Sequence, residues 1–249
     1  PVLNPANVQE YLDYGLHGYL MSRLSGLWIG MKIVTTLADS TGTAEIDLAR
    51  LNFVTPDLEF DGKAFTPHMN LGMNVRVEAL EMEQSLYTRR LEVAKRYAAA
   101  NKLNNVVFDS PDAWIGIITA GKSWNDLRQC FLELGLDDAA LRRYGIRILK
   151  MGMLFPMEPQ VVRDFARGLE EIFVVEEKRP FLEMFAKNVL YGQANAPRIV
   201  GKFDEEEKEL LPHYGEFESD VIGRALTKPL SRQARLESAE ASLKRVDDI

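Results

Sequence analysis

The chain has 249 residues, 46% of them hydrophobic and 27% charged, enough to bury the core of one large domain or two small ones. Its net charge of −7 argues against a protein that grips a nucleic-acid backbone, and its one cysteine, Cys130, excludes an internal disulfide framework and a thiolate-held iron–sulfur cluster. The three histidines, His17, His68 and His213, lie far apart without metal-ligand spacing, and no apolar run reaches the roughly 18–20 residues that span a bilayer, so neither a metal nor a membrane is expected. With no signal peptide or Lys-rich amphipathic helix visible, the expected location is the cytoplasm.

In chain order, "NPANVQEYLDYGLHGYLMSRLSG" predicts a helix with Asn4 as its N-cap, Pro5 at its first position and Gly26 closing it. Val8, Leu12, Leu16 and Tyr19 define its expected apolar face. The Ile/Val/Thr-rich "LWIGMKIVTTLA" reads as a strand. Residues 41–75 read as an irregular connection with one short strand at 50–55. From Val77 to Asn101 the pattern is helical, with Tyr87, Leu91, Ala94 and Ala98 on one stripe.

Beyond Asn104 strands and helices alternate. The expected strands are "VVFDS", "AWIGIITAG", "IRILKMGM", "IFVVEE" and "PRIVGKFD"; the helices are "SWNDLRQCFLELG", "DDAALRRYG", "PQVVRDFARGL", "PFLEMFAKNVLYG" and "SDVIGRAL". Continuously apolar strands between helices predict a mostly parallel sheet covered on both faces, a three-layer α/β/α fold. The acidic run Asp204–Glu209 reads as a solvated loop. Because the chain opens at Pro1 and runs into the charged, helical "RLESAEASLKRVDDI", it reads as a piece of a longer polypeptide.

One stretch carries a chemical motif. Gly116–Ser123, "GIITAGKS", has the G-x-x-x-x-G-K-S spacing of a phosphate-cradling P-loop. A P-loop curls its backbone so that successive N–H groups face phosphate, but here the intervening residues are Ile117, Ile118, Thr119 and Ala120, which favour an extended strand. The alternative accounts for each residue: Gly116 lies inside a strand where a neighbour packs close, Gly121 makes the strand-to-helix turn, and Ser123 caps the helix with Asp126 three residues on. In parallel sheets ligands gather at the carboxyl ends of strands. Gly121, Lys122 and Ser123 are therefore the anion-binding candidates, beside Glu176, Glu177, Lys178 and Lys202, and the rival to such a site is a rim of mutually neutralising charges. Cys130 falls beside an apolar stripe and reads as core. The three tryptophans, Trp28, Trp114 and Trp124, are expected to face inward.

Three blocks together resemble the indolepyruvate ferredoxin oxidoreductases of the 2-oxoacid:ferredoxin oxidoreductase group, in their long fused bacterial form. They are "GIITAGKSWNDLRQCFLELGLDD", "YGIRILKMGMLFPMEPQVVRDFARGLEEIFVVEEKRPFLE" and "PRIVGKFD" with "LLPHYGEF"; the N-terminal "LNPANVQEYLDYGLHGYLMSRLSGLWIGMKIVT" extends the resemblance to about residues 2–230. The resemblance implies an internal fragment: residues 1–48 as the tail of a pyrimidine-binding thiamine diphosphate domain, 49–104 as a connector with a long helix, 105–230 as a transketolase C-terminal-like domain whose mostly parallel five-stranded sheet has one antiparallel edge strand, and 231–249 as a helical tail. It implies that the whole enzyme decarboxylates aryl 2-oxoacids oxidatively to acyl-CoA, using thiamine diphosphate, magnesium, 4Fe–4S clusters and coenzyme A, with ferredoxin as electron acceptor and a homodimer as its assembly. For this chain alone the resemblance implies no cofactor, no catalytic residue and no turnover. The partners it implies are the remaining domains of the same polypeptide. Its first helix and strand are then expected to expose apolar surface in isolation.

Overall fold

The computed structural model describes residues 1–67 and 76–231, so the expectations that fall on His68 and on the tail beyond Ser231 lie outside the described residues. The chain divides into two compact units, one comprising Pro1–Asn104 with Gly152–Glu158 and the other Asn105–Met151 with the described residues from Pro159.

In the first unit, β1 (Val2–Leu3) leads through α1 (Val8–Ser25) to β2 (Gly30–Met31), which pairs parallel with β1. The helix starts later than the sequence predicts, with Asn7 rather than Asn4 as its N-cap. Asn4 is held in the preceding extended segment, where its N–H donates to the carbonyl of Gly152 at 2.8 Å. Asn7 Oδ1 accepts from the N–H of Glu10 at 2.9 Å, and Glu10 reaches back to the N–H of Ala6 at 2.9 Å, a near-reciprocal capping arrangement. Gly26 closes the helix in the left-handed region at φ 69°.

The expected apolar face of α1 is not the buried one. Leu12 and Tyr19 are exposed, whereas His17, Gly18 and Met21 are buried and Tyr14, Leu20 and Leu24 pack against the same core. Gly18 decides this. A Cβ there would stand 3.4 Å from Ile29 and 3.7 Å from Leu3, so this glycine lets the helix settle onto the strands. Of the long strand expected after Gly26, only Gly30–Met31 pairs, and Thr35–Ala38 forms a helical turn, α2.

The strand expected at 50–55 is replaced by a 3₁₀ turn at Leu48–Arg50. A small hairpin follows, β3 (Glu59–Phe60) with β4 (Lys63–Ala64), turning through Asp61 and Gly62, both at positive φ. Asp-Gly between strands is the strongest short hairpin signal, and here it escaped the sequence reading. The long helix is α3 (Arg76–Ser85) and α4 (Leu91–Ala100), joined by a π-helical stretch at Leu86–Arg90. This stretch shifts the helical phase, so Tyr87 is exposed although Ala94 and Ala98 are buried.

His17 is buried with Nδ1 2.9 Å from the Tyr97 hydroxyl, and the Phe53 ring meets it edge-on. Burial lowers its pKa, with Asp13 opposing. An unfolded histidine protonates near pH 6.5, the buried one only at lower pH, so between the two the unfolded chain holds more protons. The stabilising contribution of neutral His17 is therefore complete above about pH 6.5 and lost as pH falls below it. Urea denaturation followed by circular dichroism at pH 7.5 and 5.5 checks this: the stability lost between those pH values in the wild type should shrink in His17→Gln, and an unchanged loss would remove His17 as its source.

The second unit is built on a five-stranded sheet in the order β10–β9–β6–β7–β5, formed by β5 (Asn104–Phe108), β6 (Ile115–Ala120), β7 (Ile146–Met151), β9 (Glu171–Val175) and β10 (Arg198–Val200). The pairings β6–β7, β6–β9 and β9–β10 are all parallel. Every residue of β6 and β9 is buried, as continuous apolar runs predict for central strands. On one face lie α5 (Lys122–Glu133), α6 (Asp138–Arg143) and α9 (Ser219–Ser231), whose Leu127, Leu141 and Ile222 share a core with Ile117, Ile148 and Phe173. On the other lies α7 (Pro159–Ala166), with α8 (Phe181–Leu190) packed beside it. The expected α/β fold with a mostly parallel sheet is the observed one. Stripe residues Leu127, Phe131 and Leu134 of α5 are buried, and Gly135 ends the helix at φ 66°.

The segment "IRILKMGM" does not run as one strand. It breaks at Gly152: β7 stays in the parallel sheet, while β8 (Met153–Phe155) joins the first unit, antiparallel to β1. A Cβ at Gly152 would lie 2.4 Å from both the Leu103 carbonyl oxygen and the Tyr14 hydroxyl, so only glycine fits this crossing point.

Candidate functional site

The candidate site is the carboxyl edge of the parallel sheet, where β6, β9 and β10 end. All four residues between the two motif glycines lie within strand β6, so no curled loop exists there. Gly116 is inside the strand. A Cβ on it would meet Leu169 at 2.5 Å and the Phe165 ring at 2.6 Å, the close packing that the strand reading expects. Gly121 turns the chain into α5 at φ 54°, ψ −133° and is itself the N-cap. Ser123 is therefore not the cap: it is buried in the first turn of the helix, and Asp126 bonds to Lys122 rather than completing a capping box.

Lys122 Nζ donates to Asp126 Oδ2 at 2.8 Å, to Glu177 Oε1 at 3.0 Å and to the Phe217 carbonyl at 2.9 Å, filling all three of its donor positions. Burial works against its charge, and the hydrogen bonds to the two carboxylates more than offset that, so its pKa is raised. Asp126 is raised as well, first by burial and further by the like charges of Glu177 and Glu218, against the pull of Lys122. Two carboxylates share one ammonium, and Asp126 is the member that gains a proton more readily than an ordinary aspartate.

Glu176 occupies the place an external anion would take. Its Oε2 accepts from the N–H groups of Phe181 at 3.0 Å and Leu182 at 2.8 Å, and its Oε1 from that of Glu183 at 3.0 Å, at the start of α8. Burial nonetheless raises its pKa, with those N–H bonds and Lys202 opposing. Lys202, 1% exposed, donates from Nζ to the carbonyls of Glu176 and Pro212, and its own N–H goes to Glu183 Oε2 at 2.9 Å. Its ammonium also faces the Phe217 ring, 5.5 Å from the centroid. Burial lowers its pKa, against the four carboxylates of Glu176, Glu183, Glu177 and Glu209. Lys178 stands apart, exposed at φ 60°.

The structure thus joins Lys122 to Glu177 and Lys202 to Glu176, as the reading of a self-neutralising rim requires. The carbonyl acceptors Phe217 and Pro212 were invisible in the sequence, since any residue type supplies a carbonyl. Asp126 was noted for a different role; its i,i+4 spacing from Lys122 was the available signal.

The other candidates take structural roles. Cys130 is buried, its thiol pKa pushed up to about 12 first by burial, and a Cβ on Gly223 of α9 would lie 3.5 Å from its sulfur. Ser110 donates to the Ile146 carbonyl at 2.6 Å. Trp114 is buried and donates to the Tyr144 carbonyl at 2.7 Å, whereas Trp28, expected to face inward, is 90% exposed. Among the described residues no group of three His, Cys, Asp or Glu side chains can hold a metal ion, and no helix is long and apolar enough to cross a membrane. A cluster or a magnesium–diphosphate pair therefore finds no fitting donor set among them.

Residues 105–249 match the family described as the indolepyruvate oxidoreductase domain. The chain belongs to this family. The indolepyruvate oxidoreductase subunit IorA of Methanothermobacter marburgensis is 26% identical over 91% of this chain, and that of Pyrococcus abyssi 24% identical over its whole length. The chain spans only about a third of these relatives, 34% and 36% respectively. Among solved structures, a 2-oxoglutarate:ferredoxin oxidoreductase from Magnetococcus marinus shares the fold with a TM-score of 0.56 at 14% identity, covering 92% of this chain and 42% of that one. These likenesses favour a domain of an oxidoreductase over a nucleotide hydrolase.

Proposed function

We propose that this indolepyruvate oxidoreductase domain is a structural, non-catalytic part of a larger cytoplasmic enzyme that oxidatively decarboxylates aryl 2-oxoacids to acyl-CoA. In that enzyme thiamine diphosphate with magnesium would supply the decarboxylation chemistry, and 4Fe–4S clusters would pass electrons to ferredoxin; this chain has one buried cysteine and would hold none of these groups. We assign residues 1–48 to the end of a pyrimidine-binding domain, 49–104 to a connector, 105–230 to a transketolase C-terminal-like domain and 231–249 to a helical tail. A homodimeric whole enzyme belongs to the same reading.

The observation that carries the non-catalytic role is the self-satisfied sheet edge. Glu176 fills the amide seat of α8, and Lys122 is bound by Asp126, Glu177 and a carbonyl. A phosphate arriving there would have to displace these carboxylates and would meet their negative charge.

Two assays on the isolated chain test this. With indole-3-pyruvate, coenzyme A, thiamine diphosphate, magnesium and a viologen acceptor, no turnover is expected. Calorimetry with Mg-ATP is expected to give no heat of binding. A micromolar dissociation constant that disappears in Lys122→Ala would overturn the reading in favour of a nucleotide-binding module.

A further inference from the structure

The segment β1–α1–β2 is a βαβ unit with its helix on one face. Leu3, Met21 and Met153 are fully buried on that side, and Gly18 brings α1 against Ile29. Side chains alternate across a strand. Trp28 and Gly30, flanking Ile29, therefore lie on the opposite face with Val2, and the register sets Phe155 beside Val2. That face is bare: Trp28 is 90% exposed and Phe155 45%.

The edge beside it is open as well. Strand β2 is the outer strand of the order β2–β1–β8. The N–H groups of Gly30 and Lys32 donate to the carbonyls of Pro1 and Leu3 at 2.8 and 2.7 Å, so the backbone groups of Met31 between them point away from β1. Parallel strands occur almost only in sheets covered on both faces, and an exposed edge invites a further strand. Yet β1 and β2 are two residues each, and their uncovered side presents a tryptophan and a phenylalanine.

We propose that the Met31 edge and the Trp28–Val2–Phe155 face form one docking surface. Its occupant is an α/β element of the polypeptide that makes up the remaining two-thirds of the relatives' length. A strand of that element extends the sheet at β2, and its apolar layer seals Trp28. The proposal rests on the reading that this chain works as a domain of a larger oxidoreductase. The length of the relatives favours this occupant over a second copy: both IorA subunits match this chain over only about a third of their length.

Hydroxyl-radical footprinting read by mass spectrometry, on native protein from the source organism beside the isolated 249-residue chain, tests it. Trp28 should be oxidised readily in the isolated chain and about 10-fold more slowly in the native protein, as expected for a residue moved into an interface core. Equal oxidation in both would overturn the proposal. Concentration-dependent protection in the isolated chain, with a dimer in ultracentrifugation, would overturn it in favour of self-association. Assaying the same native preparation with indole-3-pyruvate keeps the two readings apart. Turnover with Trp28 unprotected removes the docking surface alone, and protection without turnover supports the surface while removing the proposed substrate.

Discussion

Replacing Lys202 by methionine will destabilise the second unit by about 3–5 kcal/mol, the usual cost of removing one partner from a buried charge network. Methionine keeps most of the aliphatic stem, so the loss isolates the ammonium. That group is the donor to the carbonyls of Glu176 and Pro212 and the nearby cation that opposes the burial of Glu176. Without it, the buried carboxylates of Glu176 and Glu183 lose their common positive neighbour. At roughly 2–4 °C per kcal/mol, the melting temperature should fall by roughly 10–15 °C. Trp114, buried in this unit, is the fluorescence reporter. The double variant Lys202→Met with Glu176→Gln should lose less than the sum of the single losses, because the two groups act on one another. A single-variant loss under about 1 kcal/mol would place Lys202 among solvated, weakly contributing charges instead.

Gly116→Val should be comparably damaging, by about 3 kcal/mol, at the upper end of overpacking costs. The added Cβ alone would stand 2.5 Å from Leu169 and 2.6 Å from the Phe165 ring, before the two methyl groups are counted. Strand β6 cannot retreat, because parallel partners flank it on both sides and every residue in it is buried. Trimming Leu169 to alanine beside the milder Gly116→Ala should recover part of that variant's loss. This also separates the strand reading from a phosphate cradle. A cradle glycine, replaced, would abolish nucleotide binding and leave urea stability nearly unchanged; a strand glycine does the reverse.

The second unit was largely legible in the sequence, and the physical reason is periodicity. Its strands are apolar on both faces, its helices carry one apolar stripe, and glycines or prolines punctuate them. Even the apparent nucleotide motif could be decided locally, since two isoleucines between the glycines belong to an extended backbone. The first unit was less legible because its elements are short and take their shape from distant partners. Asn4 is a plausible cap until its N–H is seen bonded to Gly152, and the buried face of α1 follows Gly18 rather than the most hydrophobic stripe. The π-helical stretch at Leu86–Arg90 turned Tyr87 outward, a phase shift that uniform helical spacing misses.

The candidate site divides the same way. Composition alone ruled out a cluster held by several thiolates, and residue order placed Gly121, Lys122 and Ser123 at a strand-to-helix turn. Only the tertiary structure decided what those residues do. Lys122 meets Glu177 across 55 positions of sequence, and Glu176 turns back onto the amides that an outside anion would need. Local propensity and hydrophobic period are properties of neighbouring residues, so the chain itself determined its strands, its helices and the fold class they imply. Charge pairing and burial depend on which strand ends lie side by side, and they exist only once the sheet has formed.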